Sequence, residues 1–420
     1  PTAYDDGKVL AIKPSEAPYG DFQFSRNSSA TRLNAQGLIE DVQILSGNLV
    51  QNPSFSEEGA EEISNGSFSQ EGSEQVTNGD FATDSDWTLG TGWSISNEKL
   101  NAISVNSTSA TQSVSSFIGK SFKVVYTISN YSQGDVRIFL GGAQQTLNRS
   151  ENGTFTEYIT ITSGNSTLYI QGVNDFTGSI DNVSVKEVGQ DWTLGTGWSI
   201  GDDKAISDGT NVDAYLSQSG LVAGKSYKVT FDILDYVSGA LSVRAANETQ
   251  AFSVNSNGSY VGYVKSISSI SIGFRSAGAS GFNGSITNIS VKEVGQNWSL
   301  ETGWSVDQAN SKAKSIQTSS NNYLQQTIST LSNNKLYRVT FDLDIISSTT
   351  TSIGISNTGA FGNLSGSVRF FTTSGTKTFD GLYSNSYPNY IRFVGGIGTE
   401  FTITNISILE ITDDTNLPRI

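Results

Sequence analysis

Apolar and polar residues alternate along one stretch that occurs three times in the chain. Phe122, Val124, Tyr126 and Ile128 fall on one side and Lys123, Val125, Thr127 and Ser129 on the other. The same pattern returns as Tyr227, Val229, Phe231 and Ile233, and again as Tyr337, Val339, Phe341 and Leu343. A period of two predicts a strand with one face in a core and the other toward solvent or ligand. Each copy opens on a lysine landmark: Lys120-Ser-Phe-Lys-Val124, Lys225-Ser-Tyr-Lys-Val229 and Lys335-Leu-Tyr-Arg-Val339. Around the first copy, turn clusters such as Ser132-Gln-Gly134 and Glu151-Asn-Gly153 divide the chain. They predict strands near 92–95, 99–106, 109–117, 120–130, 134–141, 154–162, 166–173 and 179–188. About eight short strands with hairpin-like spacing make an antiparallel β-sandwich, with jelly roll as the topology. Helix signals are nearly absent, so the expected fold class is all-β.

The repeating unit is marked by tryptophan. Asp86-Trp-Thr-Leu-Gly-Thr-Gly-Trp-Ser-Ile95 returns as Asp191-Trp-Thr-Leu-Gly-Thr-Gly-Trp-Ser-Ile200 and as Asn297-Trp-Ser-Leu-Glu-Thr-Gly-Trp-Ser-Val306, and these copies hold all six tryptophans. Trp87 to Trp192 is 105 residues and Trp192 to Trp298 is 106, the length of one all-β domain. Ser184-Val-Lys-Glu-Val-Gly-Gln190 recurs as Ser290-Val-Lys-Glu-Val-Gly-Gln296, with Asn405-Ile-Ser-Ile-Leu-Glu410 as a weaker third copy. Start, middle and end keep phase, which predicts three tandem modules at 77–190, 191–296 and 297–412. The first two are close copies and the third has drifted.

The N-terminal region is different in kind. Residues 1–50 are too few for an ordinary core of their own and are expected to pack on something else, as an anchoring segment. A small repeat with a 13-residue step follows: Asn52-Pro-Ser-Phe55, Asn65-Gly-Ser-Phe68 and Asn78-Gly-Asp-Phe81. Residues 51–76 carry several Glu, no Lys or Arg and few apolar side chains. That composition predicts an exposed or loosely ordered acidic linker.

Composition removes several function classes. The chain carries 25 Lys and Arg against 40 Asp and Glu, a net charge of −15, without a basic run of any length. Nucleic acid is therefore not an expected partner. With no cysteine and no histidine, disulfides, thiolate and imidazole metal sites, Ser-His-Asp triads and cysteine nucleophiles are excluded. A bound metal would have to be a hard cation on oxygen ligands, in practice calcium. No apolar run approaches the ~18 residues of a membrane span, so no membrane insertion is expected.

Two resemblances rest on motifs. Val76-Thr-Asn-Gly-Asp-Phe81, followed by Gly92-Trp93 and closed by Gly178-Ser-Ile-Asp-Asn-Val-Ser-Val185, resembles the start and end of carbohydrate-binding jelly-roll modules. Such modules are attached to glycanases and are common in bacteriophage virion proteins. This likeness covers residues 77–412. Gly20-Asp-Phe-Gln-Phe-Ser-Arg26, Ala30-Thr-Arg-Leu-Asn34 and Gly37-Leu-Ile-Glu-Asp41 are similar to the opening of phage tail-fibre or head-fibre structural proteins. In those proteins an Asn-x-Pro-Arg motif soon follows. Here its match, Asn416-Leu-Pro-Arg-Ile420, comes after the modules, which look inserted into a virion-protein head to which residues 413–420 return. The resemblance implies a tail fibre, spike or head fibre on the virion surface. Its implied partners are a host cell-surface glycan, other virion proteins and further copies of itself in a homo-oligomer.

Candidate residues follow from both lines of argument. Trp93, Trp198 and Trp304 are expected in the core. Trp87, Trp192 and Trp298 either cover the end of a sandwich or present an exposed indole on which a pyranose stacks. Tyr131 and Tyr236, on the polar side after the lysine-landmark strand, are further glycan-binding candidates. The third module has Ile346 there. Asn78, Asp80 and Asp181 resemble positions that hold a structural calcium in related modules. The alternative readings are ordinary turn chemistry for Asn78 and Asp80 and a solvated strand residue for Asp181. Thr287 and Thr404 replace Asp181 in the other modules, which confines any calcium to the first.

The acids recur in no pattern that sets two carboxylates against each other, so catalysis is not expected. Three functions remain open: a virion adhesin holding host-surface glycans, a structural spacer or capsid decoration, and the accessory binding region of a glycan-degrading enzyme. About three residues link successive modules, a reach on the order of 10 Å. In the jelly-roll modules that the chain resembles, the first and last strands lie side by side, which implies that neighbouring modules meet at their terminus-bearing ends and that residues 41 and 413 lie close together.

Overall fold

The computed structural model describes residues 4–5, 8–9, 31–33, 39–41, 44–114, 118–141, 144–161, 164–246, 248, 251–307, 310–317, 322–348, 353–355, 369–383, 389–395 and 397–412. Among them there is no α-helix, and the long strands at the centre of each repeat pair antiparallel. The chain divides into two compact units, Gly59–Val294 and Pro1–Glu58 with Gly295–Ile420. Gly20–Arg26 and Asn416–Ile420, which carry the phage-like motifs, lie outside the described residues.

The second repeat shows the plan. One sheet runs in the order Thr193–Leu194, Tyr215–Ser219, Ser271–Ala277, Ala240–Ala245, Ala251–Val254. The other runs Trp198–Gly201, Lys204–Asp208, Asn283–Val294, Ser226–Ser238, Gly258–Lys265. Phe231 on one sheet and Phe274 on the other meet edge to face at 5.4 Å, so the two inner faces share one core. The third repeat has the same two sheets, and Phe341 and Phe393 make the matching contact at 5.1 Å. The alternating positions behave as their period requires: all twelve apolar residues named above are at most 2% exposed.

In the first repeat the expected strands 120–130 and 134–141 form one strand, Ser121–Leu140, and 166–173 and 179–188 form another, Thr167–Val188. The turn residues between them are real: Asn130, Gly134, Asn174 and Asp175 all have positive φ. They bend the strand and shift its register without ending its pairing, so one strand serves both layers of a single nine-stranded sheet.

The tryptophan motif is a folding signal whose polar residues have conformational causes. Its first residue is left-handed in every copy, with φ of 68° at Asp86, 71° at Asp191 and 68° at Asn297. Asp and Asn tolerate that region better than most residues. The second Trp of each pair is buried, and its Nε1 donates to a main-chain carbonyl: Trp93 to Thr108, Trp198 to Ala214 and Trp304 to Asn322.

Residues 51–76 are not a loose linker. They belong to a strap that runs from residue 44 to residue 81 and closes all three sandwiches in reverse order. Ile44–Leu45 pairs with Thr399–Thr412 of the third repeat, Glu58–Glu61 with Asn283–Val294 of the second, and Glu71–Glu74 with Thr167–Val188 of the first. After each strand comes a clasp made of one of the Asn-x-x-Phe copies. Phe55 packs on Trp298 at 5.2 Å, Phe68 on Trp192 at 5.3 Å and Phe81 on Trp87 at 5.3 Å. The repeats are therefore nested along the chain: in sequence the first is inserted between the two parts of the second, and the second between the two parts of the third. Composition misled here because each copy buries only two apolar side chains, Val50 with Phe55, Ile63 with Phe68 and Val76 with Phe81. Most of the remaining attachment is polar and main-chain.

The junction of the first two repeats is as short as expected, and they meet beside it. Val188 and Tyr158 of the first repeat pack against the core of the second, and the Ile200 N–H donates to Ser121 Oγ at 3.2 Å. Residue 413 lies outside the described residues. Its neighbour Thr412 pairs with Ile44, and Ile411 with Leu45.

Candidate functional site

The clasps account for the first tryptophan of each pair. Trp87, Trp192 and Trp298 are 9%, 8% and 3% exposed. Each lies under its phenylalanine, and its Nε1 donates at 3.1 Å to the carbonyl of Asn78, Asn65 or Asn52 respectively. A sugar platform requires an open indole face, and these faces are closed by the strap. The reading of Trp87, Trp192 and Trp298 as glycan platforms is corrected accordingly.

Asn78 is likewise taken up by the clasp. Its Oδ1 accepts the Thr83 N–H, and its Nδ2 donates to the carbonyls of Thr83 and Ser85. Asn52 and Asn65 accept the Glu57 and Gln70 N–H groups in the same way. Asp80 Oδ1 caps the Ala82 N–H and Asp181 Oδ1 the Asn182 N–H. Among the described residues no three acidic side chains gather around one point. The Asn78 and Asp80 oxygens thus serve turns, and Asp181 Oδ1 caps the bulge of its own strand.

Tyr131 and Tyr236 hold equivalent, half-buried places. Their N–H groups donate to Asn152 and Asn257, and their rings lie 6.5 Å from Phe176 and 6.3 Å from Phe282. Tyr236 also donates its hydroxyl to the Gly239 carbonyl at 2.9 Å. Ile346 in the third repeat is exposed.

A more promising surface lies on the outer face of the sheet that contains Ser109–Ser113 and of its counterparts. In the third repeat the Arg392 guanidinium lies 4.2 Å from the ring of Tyr323 and 4.4 Å from that of Tyr390. Its Nε and Nη2 donate to Gln325 Oε1 at 3.0 and 2.7 Å. In the first repeat Arg137 covers Phe139 at 4.8 Å and donates twice to Gln171, while Tyr169 pairs with Phe139 across the sheet. In the second, Arg275 is paired with Asp213 and faces Tyr215 across the ladder. Apart from the exposed Asp213, these side chains are half-buried, and their neighbours on the face include Thr111, Ser217 and Thr327. Each face thus joins arginine, an aromatic ring and amide or hydroxyl groups, at different register positions in each repeat. The sequence reading missed this face. Its signal was the alternation in Tyr323-Leu-Gln-Gln-Thr327, where Leu324 is buried and Tyr323 and Gln325 point outward.

No protein-family model and no curated protein sequence matches the chain. Among solved structures, the N-terminal CBM22-1-CBM22-2 tandem domain of Xyn10C from Paenibacillus barcinonensis is similar with a TM-score of 0.24 and 10% identity, covering 56% of this chain and 92% of its own. A chain from Sulfolobus Turreted Icosahedral Virus gives a TM-score of 0.22 at 12% identity over 80% of this chain and 92% of its own. The tandem CBM51 modules of Sp3GH98, the family 98 glycoside hydrolase from Streptococcus pneumoniae SP3-BS71, give 0.18 at 10% identity over 85% and 97%. At these scores the all-β sandwich assignment rests on this chain's own strand pairing.

Proposed function

We propose that this chain is a non-enzymatic surface protein that holds glycans weakly at several sandwich faces at once. The observation that carries the reading is the outer face of the third repeat, where Arg392 is held between Tyr323 and Tyr390 with Gln325 as its acceptor. Aromatic rings offer apolar contact to the C–H face of a sugar, and the guanidinium and amides supply directed hydrogen bonds to its hydroxyls. A shallow sheet face gives a weak single site, so useful binding comes from multivalency. In this reading the motifs at residues 20–41 and 416–420 attach the array to a virion as a tail fibre, spike or head fibre, with other virion proteins as partners.

A second reading, a structural spacer or capsid decoration, is favoured by the strap, which fastens each sandwich without using its outer sheet face. Titrating host-surface polysaccharide against the intact chain and against Tyr323→Ala/Arg392→Ala separates the two. The adhesin reading expects saturable binding that the variant weakens. Absence of binding by the intact chain would leave the spacer reading.

A further inference from the structure

Each clasp reads its segment mainly through the segment's main chain, and the three grooves read alike. Gln112, Gln218 and Gln326 each clamp one residue from both sides, accepting its N–H and donating to its carbonyl: Thr77 at 2.8 and 2.8 Å, Ser64 at 2.6 and 3.0 Å, Gln51 at 2.8 and 2.8 Å. The next residue is the asparagine, whose carbonyl accepts the tryptophan Nε1. The residue after it, Gly79, Gly66 or Pro53, accepts the N–H of Val183, Ile289 or Ile406. Those N–H groups are free of the ladder because Asn182, Asn288 and Asn405 have positive φ, and the register slips opposite them. Upstream, Glu74, Glu61 and Asn48 accept the N–H of Val185, Val291 and Ile408. The asparagine and the phenylalanine have positive φ in all three segments, 45° to 57°, so every segment carries the same kink.

We propose that each groove is a peptide-recognition site for an extended segment of the form apolar-x-Asn-Gly/Pro-x-Phe, and that a second copy of this chain supplies such a segment in trans. Nothing in the groove distinguishes one chain's segment from another's, since the contacts are the same in three independent instances. What selects the chain's own segment is its tether. Until the repeat nested inside it has folded, that tether is long, because the paired residues are 127 apart at Trp192–Asn65 and 246 apart at Trp298–Asn52. The effective concentration of a tethered segment falls with tether length, roughly as its −3/2 power. A segment from another copy therefore competes when the chain folds at high concentration, and exchange of an identical element is a low-cost route to a homo-oligomer.

The test uses the full chain. In Asn65→Ala/Phe68→Ala the second groove has lost the anchors of its own segment, and a fluorescein-labelled peptide of residues 59–70 is titrated by anisotropy. The expected result is saturable binding, at least tenfold weaker to the unmodified chain and at least tenfold weaker for a peptide carrying the same two alanines. No binding to a variant that keeps its β-sheet circular dichroism would overturn the recognition site. If the double variant does not fold, Phe68→Leu takes its place with the same two outcomes. To test the source, the unmodified chain is refolded at rising concentration and sized by light scattering. A dimer fraction that grows with concentration and is suppressed by excess peptide is expected, and a monomer at every concentration would overturn the second copy as donor.

Discussion

The indole of Trp192 donates a hydrogen bond to the main-chain carbonyl of Asn65, 127 residues earlier in the chain. Trp298 makes the same bond to Asn52 from 246 residues away, whereas for Trp87 and Asn78 the distance is nine. One local contact has thus been copied twice over widening separations. The nesting of the repeats follows from that relationship.

Phe55→Ala and Phe68→Ala should each cost about 3–5 kcal/mol, because each empties a site now filled by a fully buried ring against an indole. Phe55 belongs to the unit with the third repeat and Phe68 to the unit with the first two. Urea unfolding followed by tryptophan fluorescence should therefore show a different transition lowered in each variant.

Gln218→Ala should destabilise the second repeat by about 1–3 kcal/mol, since it removes both hydrogen bonds to Ser64. Gln218→Glu sets a buried carboxylate oxygen against the Ser64 carbonyl at neutral pH, so its midpoint should fall below that of the alanine variant.

Acid should loosen the strap at the first repeat. Hydrogen bonds from Lys123, then from Lys186, hold the Glu71 carboxyl below its ordinary value of 4.5. A carboxyl whose folded pKa is depressed contributes stability above its unfolded pKa and loses it as pH falls through the folded value. Glu71 is partly solvated, so the contribution is at most about 1 kcal/mol. Urea midpoints of the parent and Glu71→Gln should differ at neutral pH and converge well below pH 4.5. A gap that persisted there would count against this ion pair.

Tyr323→Ala and Arg392→Ala should lower glycan affinity without moving the unfolding midpoint by more than about 1 kcal/mol, because both side chains lie on an outer face. Isothermal titration beside thermal unfolding checks both halves of this expectation.

The sandwiches were legible because a period of two needs no tertiary information: Phe122 to Ile128 declare their face locally. The tryptophan pairs were legible as landmarks but not as surfaces, since nothing near Trp192 in sequence says that Phe68 will cover it. The strap was hardest to read. Its acidic, glycine-rich composition fits a solvated linker, and its attachment uses main-chain groups that any sequence possesses. The clue available was numerical: three Asn-x-x-Phe copies stood beside three modules, and only the third copy leads directly into one. The calcium candidates show the same limit, because a resemblance carries residue types and not their partners, and Asn78 accepts the Thr83 N–H with its amide oxygen.

The nested wiring itself is most directly tested by engineered disulfides, for which the absence of cysteine gives a clean background. Glu74 and Lys186 are direct partners across the sheet, as are Leu45 and Ile411, and Glu61 and Lys292 hold the equivalent repeat positions on two strands that pair in the second repeat. Cysteine pairs at these three places should oxidise within one chain at high dilution, since partners in a sheet lie within disulfide range. The crossed pairs Glu74→Cys/Lys292→Cys and Glu61→Cys/Lys186→Cys should stay reduced. Equal oxidation of matched and crossed pairs, or none in the matched ones, would contradict a strap that closes the three sandwiches in reverse order.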